Sequence, residues 1–546
     1  MKYTKFKTIP IENRTWLDKT IDHAPIWCSV DLRDGNQSLI KPMSLDKKVK
    51  FFKLLVDMGF KEIEIGFPSA SEVEFEFIRY LIENSLIPDD VTIQILTQAR
   101  EHLIKRSAEA LRGAKNIIVH LYNPTSTMQR EIVYKKSQKE IIDLALQGVE
   151  WIKEEFRDFE GTVRLEYSPE SFTQTELEFS AQICNAVVKE WYHNNPRDEK
   201  VILNLPSTVE ASTPNIYADQ IEWMCRNINP REKVVVSVHA HNDRGCAVAS
   251  TELALMAGAD RVEGTLLGNG ERTGNVDIIT VGLNMYTQGV DPKLDFSQID
   301  KIVKIVEQSN EIKTHVRHPY VGELVYTAFS GSHQDAIKKG MAQQKEDALW
   351  YVPYLAIDPK DIGRSYDAII RINSQSGKGG VAYILNTQYG YAIPKKMEMH
   401  IGKVIQEKSD KIEGVISEEM IKEEFEKVFV NRKEHISIEN IKIDIDNKQV
   451  TVEGDFKIGE RTFHQAITSS GIISAISKIF KEHDIKFEVV EYSEHAKTIG
   501  EDAKALAYFG IQMNGKVYYG IGEDINISYA SINALISALN IGSNST

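Results

Sequence analysis

The chain has 546 residues, too many for one ordinary hydrophobic core, which predicts about three domains or one large barrel with additions. Its 42% hydrophobic and 26% charged residues are typical of a globular protein, and a net charge of −14 without a long basic run argues against a nucleic-acid partner. No apolar run reaches the roughly 20 residues that span a bilayer, so no membrane partner is predicted.

The N-terminal stretch MKYTKFKTIPIENRTW has no apolar core of the kind that a secretory signal contains. The four cysteines are scattered without a C-x-x-C pair, which indicates neither a disulfide framework nor a thiolate zinc site. Both features predict a cytoplasmic protein.

Short apolar runs of β-type composition alternate with amphipathic stretches from about residue 26 to 290. The runs read IWCSVDL, KEIEIGF, VTIQILT, NIIVHLY, TVRLEYS, VILNLPS, KVVVSVHA and RVEGTLLG. After the first run, Phe51, Leu54, Leu55 and Met58 recur at helical spacing, and Gly59 is placed to end that helix. This alternation predicts a (β/α)8 TIM barrel. The alternative is a doubly wound sheet, but the first turn reads DLRDGNQ and lacks the G-x-G-x-x-G dinucleotide motif.

Polar side chains stand at the C-terminal ends of nearly all these predicted strands, where TIM barrels carry their functional groups. In chain order they are Arg33, Asp34, Thr97, Arg100, His120, Tyr122, Glu166, Ser168, Glu170, Asn204, Thr208, His239, His241 and Asn242, followed by the segment GNGERTGN. The barrel mouth is therefore the predicted ligand site.

The motif HAHND places His239 and His241 two residues apart at the end of the seventh strand, so both rings point to one side. With Asp34 from the first strand they form the set of two histidines and one carboxylate that binds a divalent metal, and Asn275 adds an amide oxygen. These ligands suit zinc, manganese or magnesium. The alternative is that the histidines only pack against or cap the following helix.

Two further charged residues at the mouth suit catalysis. Arg33 beside the metal site predicts bidentate binding of an anionic oxygen, and its alternative is a neutralising partner of Asp31 or Glu64. Asp31 is placed within the first strand, where it supports the barrel. Glu170 is a candidate general base if burial raises its pKa, and its alternative is a solvated loop carboxylate.

The chain becomes mainly helical from about residue 291 to 425. His333 in SGSHQD follows small residues, as a lid histidine does, and its alternative is a structural role. The segment SGKGG, Ser376 to Gly380, lacks the P-loop spacing, so no nucleotide site is predicted.

From about residue 435 a strand-strand-helix pattern occurs twice, which predicts a small duplicated α+β domain. The predicted division is an N-terminal extension (1–25), a catalytic TIM barrel (26–295), helical linker subdomains that contribute to the active site (296–430), and a C-terminal regulatory and dimerisation domain (431–546).

The motifs DLRDGNQ, EIGFPSAS, VHLYNPTS, EYSPES, NLPSTVE, HAHND and GNGERTGN, in this order, resemble the 2-isopropylmalate synthase family. SGSHQDAIKKG, VPYLAIDP and RINSQSGKGG extend the resemblance through the middle region, to the long type with a C-terminal domain. The resemblance implies a metal-dependent condensation of acetyl-CoA with 2-oxoisovalerate that gives 2-isopropylmalate and CoA, the committing step of leucine biosynthesis.

The resemblance also implies roles for individual residues. It implies metal ligands at Asp34, His239, His241 and Asn275, with Mg2+, Zn2+ or Mn2+ as the cation. It implies a substrate pocket of Arg33, His120, Ser168, Glu170 and Thr208, and catalytic residues Arg33, Glu170, His333 and Tyr354. The general base is Glu170 or His333, and His333 with Tyr354 positions the hydrolytic water once the middle region closes over the barrel.

The resemblance further implies a homodimer and leucine as a regulator of the C-terminal domain. Family members often carry a G-N-G-P type motif before the first regulatory helix, whereas this chain reads ITSSGIISA (Ile467 to Ala475) there. We therefore expect weak or absent inhibition by leucine. The alternatives are a homocitrate or citramalate synthase, a lyase that runs the reverse cleavage, and a silent leucine sensor, against which the intact Arg33 and Asp34 argue.

Overall fold

The computed structural model describes residue 2 and residues 5–364, 378–410, 416–446, 449–497 and 504–543. The chain forms two compact units. The first comprises Met1–Val325 with Ala356–Arg364, and the second comprises Tyr326–Leu355 with Ser365–Thr546. The predicted four-part division of the chain stays a prediction.

The first unit is a closed barrel of eight parallel strands, in which β1 pairs with both β2 and β8. The strands are β1 Ile26–Ser29, β2 Glu62–Gly66, β3 Thr92–Gln98, β4 Asn116–Pro124, β5 Thr162–Glu170, β6 Val201–Ser207, β7 Val234–Ala240 and β8 Arg261–Gly264. Its helices are α1 Leu45–Asp57, α2 Glu72–Glu83, α3 Glu101–Leu111, α4 Gln138–Glu155, α5 Leu177–Tyr192, α6 Pro214–Asn227, α7 Ala247–Met256, α8 Ile278–Thr287 and α9 Ile299–Asn310. The predicted TIM barrel is confirmed.

Helix α1 shows how the sequence pattern builds this layer. Phe51, Leu54 and Leu55 are buried and line one face of the helix. Gly59 follows at a φ of +100°, a conformation that a side chain rarely adopts, and so the chain turns there into β2. Apolar spacing thus defines the buried face of α1, and a left-handed glycine turns the chain from α1 into β2.

The exit of β1 differs from the sequence prediction. Asp31, predicted within the strand, lies after it in a π-helical turn, Asp31–Gly35. The Val30 carbonyl accepts N–H groups from Arg33, Asp34 and Gly35, which winds the chain too tightly for a strand to continue. The Asp31 carboxylate accepts the Leu266 amide at 3.1 Å and so ties the exit of β1 to the exit of β8.

The second unit combines helices with two antiparallel sheets of three strands, β11-β10-β9 and β12-β13-β14. Its helices are α10 Gly331–Gln343, α11 Lys378–Tyr389, α12 Glu398–Asp410, α13 Glu418–Phe429, α14 Ile472–Glu482 and α15 Ile527–Ser543. Its strands are β9 Ile436–Asp446, β10 Gln449–Ile458, β11 Arg461–Ser469, β12 Glu488–Ala496, β13 Ala505–Met513 and β14 Lys516–Asp524. Part of RINSQSGKGG, including Ser376 and Gly377, lies outside the described residues.

The predicted duplication is confirmed, with three strands before each helix. The unpredicted strand is β12, whose sequence EVVEYSEHA is rich in charge and whose side chains are largely exposed or half-buried. Helices α14 and α15 together bury Ile476, Ile479, Leu535 and Leu539 in one apolar core.

Throughout the described parts of the chain, every helix is too short or too polar to cross a lipid bilayer.

Candidate active site

Asp34, His239 and His241 come together at the C-terminal mouth of the barrel. All three are buried, and one ligand atom from each lies within 4.8 Å of the others. The Nε2 atoms of His239 and His241 lie 3.7 and 3.8 Å from the same oxygen, Oδ2 of Asp34. Two imidazoles and one carboxylate that face a common point are the donors expected around a divalent cation.

Asn275 also indicates a metal site, because its side-chain oxygen has no hydrogen-bond partner among the described residues. Its Nδ2 donates to Asp34 Oδ2 at 2.8 Å. Its Oδ1, like Nδ1 of His241, is buried without a hydrogen-bond partner among the described residues. A buried acceptor without a partner is unfavourable, and a cation relieves that penalty. The residues present therefore fit a metal.

A second carboxylate fixes the orientation of His239. Its Nδ1 donates to Glu263 Oε2 at 2.9 Å, and this leaves Nε2 facing Asp34. Burial alone would lower the pKa of His239, but Asp34 and Glu263 raise it to about 10, so binding of a cation at Nε2 requires loss of that proton. Burial and the neighbouring His239 lower the pKa of His241 to about 4.

Arg33 is held between two carboxylates. Its Nε donates to Glu64 Oε2 at 2.5 Å, and its Nη1 donates to Asp34 Oδ1 at 2.6 Å. Glu64, one of the two predicted alternative partners of Arg33, is therefore bonded to it. The other, Asp31, instead accepts hydrogen bonds from Ser29 Oγ and the Leu266 amide. Burial alone would raise the pKa of Asp34, but Arg33 and the two histidines hold it well below the usual range.

His120 and Ser168 form a buried pair beside Arg33. Nδ1 of His120 donates to Glu64 Oε1 at 2.9 Å, and its Nε2 lies 2.7 Å from Ser168 Oγ. Asn204 Nδ2 donates to the same Ser168 oxygen at 3.1 Å. The predicted pocket residues His120 and Ser168 are thus connected to Arg33 through Glu64.

Glu170 and Thr208 lie at the same end of the barrel, where β5 ends and just after β6. Thr208 Oγ1 accepts the amide of Ser171 at 2.9 Å and so joins the two loops. Burial raises the pKa of Glu170, and a hydrogen bond from Gln129 partly offsets this effect. A carboxyl group with a raised pKa suits a general base better than an ordinary solvated carboxylate does.

His333 and Tyr354 belong to the second unit. Their rings stack with centroids 4.0 Å apart, and Tyr354 adopts a left-handed φ of 64°. His333 lies in the first turn of α10, and Tyr354 is largely exposed. Their predicted catalytic roles stay predictions.

Four polar residues buried inside the barrel are Glu64, Gln94, Arg261 and Glu263. Glu64 was predicted only as an alternative partner of Arg33, and the other three were not predicted at the site. A sequence signal existed for Glu64, Arg261 and Glu263. In KEIEIGF and RVEG the charged residues alternate with apolar ones at a spacing of two, which is unusual for strands of a parallel barrel and indicates a polar interior.

Comparison with known proteins covers nearly the whole chain. Residues 24–306 match the HMGL-like family, residues 323–386 the alpha-isopropylmalate synthase post-catalytic domain-like family, and residues 410–542 the LeuA allosteric (dimerisation) domain. A hydroxymethylglutaryl-CoA lyase structure from Pseudomonas aeruginosa is 18% identical, covers 54% of this chain and 95% of its own, and has a TM-score of 0.44, which carries no argument about function.

Curated relatives are much closer. The 2-isopropylmalate synthase of Clostridium acetobutylicum is 51% identical over 99% of this chain and 98% of its own length. That of Pseudomonas savastanoi pv. phaseolicola is 52% identical over 99% of this chain and 96% of its own. At this identity and coverage, the chain belongs to the 2-isopropylmalate synthase family, the acyl-transferring condensing enzymes of leucine biosynthesis.

Proposed function

We propose that the barrel mouth binds 2-oxoisovalerate and condenses it with acetyl-CoA. The observation that carries the proposal is the convergence of His239 and His241 on Asp34 Oδ2, with the buried Asn275 Oδ1 beside them. A divalent cation held by these four residues supplies Lewis-acid polarisation of the keto group when it is bound. We propose Mg2+, Zn2+ or Mn2+ for this position, because histidine and oxygen donors suit all three.

The residues of the pocket then have separate tasks. Arg33 donates to the keto oxygen as that oxygen gains negative charge, while His120, Ser168 and Thr208 hold the substrate's carboxylate end. Glu170 removes a proton from the acetyl methyl group, and the resulting carbanion attacks the keto carbon. His333 is the second candidate for this base.

Hydrolysis completes the reaction. Water adds to the thioester carbonyl, the carbon–sulfur bond breaks, and 2-isopropylmalate and CoA leave. In our proposal His333 and Tyr354 position this water. We further propose that the chain works as a cytoplasmic homodimer, since its C-terminal part matches a dimerisation domain.

A CoA-thiol release assay with purified protein tests the proposal. We compare 2-oxoisovalerate, pyruvate and 2-oxoglutarate as acceptors, each with and without a chelator. The proposal predicts turnover with 2-oxoisovalerate that the chelator removes and that a divalent cation restores. Preference for pyruvate or 2-oxoglutarate would instead show a citramalate or homocitrate synthase, an alternative that the relatives do not favour.

A further inference from the structure

Glu64 occupies an unusual position between two cationic groups of the proposed pocket. It lies on β2, two residues before the end of the strand, and is fully buried. One oxygen accepts Arg33 Nε at 2.5 Å, and the other accepts His120 Nδ1 at 2.9 Å. A single carboxylate therefore fixes two side chains that come from β4 and from the turn after β1.

A buried amide holds Glu64 in place. Arg261 Nη2 donates to Gln94 Oε1 at 2.7 Å, so the amide group of Gln94 can point only one way. Its Nε2 then donates to Glu64 Oε1 at 3.1 Å and to Glu263 Oε1 at 3.0 Å. Because both of its oxygens are hydrogen-bonded to buried groups, Glu64 has little freedom to rotate.

We propose that Glu64 is a positioning residue that aims Arg33 and His120 together at the keto acid. This inference rests on the proposed function, because it assumes that both groups contact 2-oxoisovalerate. The guanidinium and imidazole are oriented by one group, so their alignment toward the substrate is lost together when that group is changed.

The test compares Glu64→Gln with the matched variant Asp219→Asn. Asp219 lies on α6, is also buried, and accepts Arg14 Nε and Trp16 Nε1 at 2.6 and 2.8 Å. Both variants remove one buried negative charge from the first unit. Only Glu64→Gln removes the acceptor shared by Arg33 and His120, because an amide offers one acceptor atom instead of two.

We expect Glu64→Gln to lower kcat/KM for 2-oxoisovalerate on the order of 10–100-fold and to raise its KM. The KM for acetyl-CoA should stay at the wild-type value. A thermal-shift titration with 2-oxoisovalerate, without acetyl-CoA, should show the same loss of keto-acid binding. Asp219→Asn should lower the unfolding temperature and leave both KM values unchanged.

Equal changes of the keto-acid KM in the two variants, or no change in Glu64→Gln, would overturn the positioning role. If Glu64→Gln does not fold, Glu64→Asp replaces it in the test. This variant keeps the charge but is one methylene too short to reach both partners. An unchanged keto-acid KM in Glu64→Asp would also overturn the positioning role. An active wild type with such a result refutes only this inference. A wild type that does not condense 2-oxoisovalerate refutes the proposed function and this inference with it.

Discussion

The interior of the barrel and the core of the duplicated C-terminal domain are built from opposite kinds of side chain. Inside the barrel Glu64, Gln94, Arg261 and Glu263 are fully buried and bonded to one another. The C-terminal core is aliphatic and aromatic, with Ile436, Val452, Phe456, Ala475, Ile476, Ile479 and Phe480 shielded from solvent.

Burying charge is unfavourable unless every charge is paired, and an apolar core of equal volume is often more stable. The barrel keeps its charges where they orient Arg33, His120 and His239, so we infer that they serve the chemistry. The C-terminal core cluster around Ile476 consists of apolar side chains, so we infer that it serves stability. Changes to the barrel network should therefore alter catalysis, and changes to the C-terminal core should alter folding.

The largest effect should come from the metal ligands. Asp34→Ala or His239→Ala should abolish condensation, because each removes a donor from the shared centre. CoA-thiol release and metal content by mass spectrometry measure the loss. His464→Ala, at an exposed histidine of the C-terminal domain, is the matched control and should keep wild-type turnover and metal content. Near-normal turnover of either barrel variant after rigorous metal removal would contradict the mechanism.

Glu170→Gln should reduce kcat about 10²–10⁴-fold, the usual contribution of a general base. A base must be ionised, so kcat/KM of the wild type should rise with pH through the pKa of Glu170. Burial raises that pKa above its ordinary 4.5, so the acidic limb of the plot of kcat/KM against pH lies at higher pH. The limb should disappear in Glu170→Gln. If the variant keeps the limb and most of its turnover, His333 becomes the better candidate for the base.

Glu263→Gln should weaken metal binding about 10–100-fold, because Glu263 orients His239 without contacting the metal. Competition with a coloured chelator measures the dissociation constant directly, apart from turnover. Asp219→Asn removes a buried carboxylate that is bonded to Arg14 and Trp16 and to no member of the barrel network, and its metal affinity should remain that of the wild type. Equal weakening in both variants would mean that loss of any buried charge disturbs the site.

Ile476→Ala should lower the free energy of unfolding by about 2–5 kcal/mol through the cavity it leaves in the C-terminal core. Ile445→Ala, at an exposed position of β9, should change it little. Denaturant unfolding gives both values. A raised keto-acid KM in the folded Ile476→Ala protein would break the contrast between the two regions.

The smallest effect should be that of leucine on turnover. The segment ITSSGIISA departs from the family motif, so we expect weak or no inhibition. The CoA-thiol assay with increasing leucine measures it. Strong inhibition at micromolar leucine would show that this segment keeps a working regulatory site.

The barrel could be predicted because short runs of β-type composition alternate with stretches of helical spacing, as α1 and Gly59 illustrate. The C-terminal ends of those strands then located Asp34, His239 and His241 without any distance being known. The exit of β1 could not be predicted, because three amides that converge on the Val30 carbonyl leave no trace in composition. Strand β12 was missed because its charged residues hide the alternation. Glu64 could be named as a partner of Arg33, but the bonds of Gln94 to Glu64 and Glu263 depend on packing between strands, which local sequence does not encode.

Closure of the barrel also sets when the site can form during synthesis. Asp34 follows the first strand, and Asn275 follows the eighth, yet their side chains are bonded at 2.8 Å because β1 pairs with β8. A ribosome-bound chain that has not yet released β8 already holds Asp34, His239 and His241, but it lacks the strand that joins β1 to β7 and so brings them together. We therefore expect the metal centre to assemble only after β8 has emerged and paired with β1 and β7, and metal capture by nascent chains of increasing length would report the moment of closure.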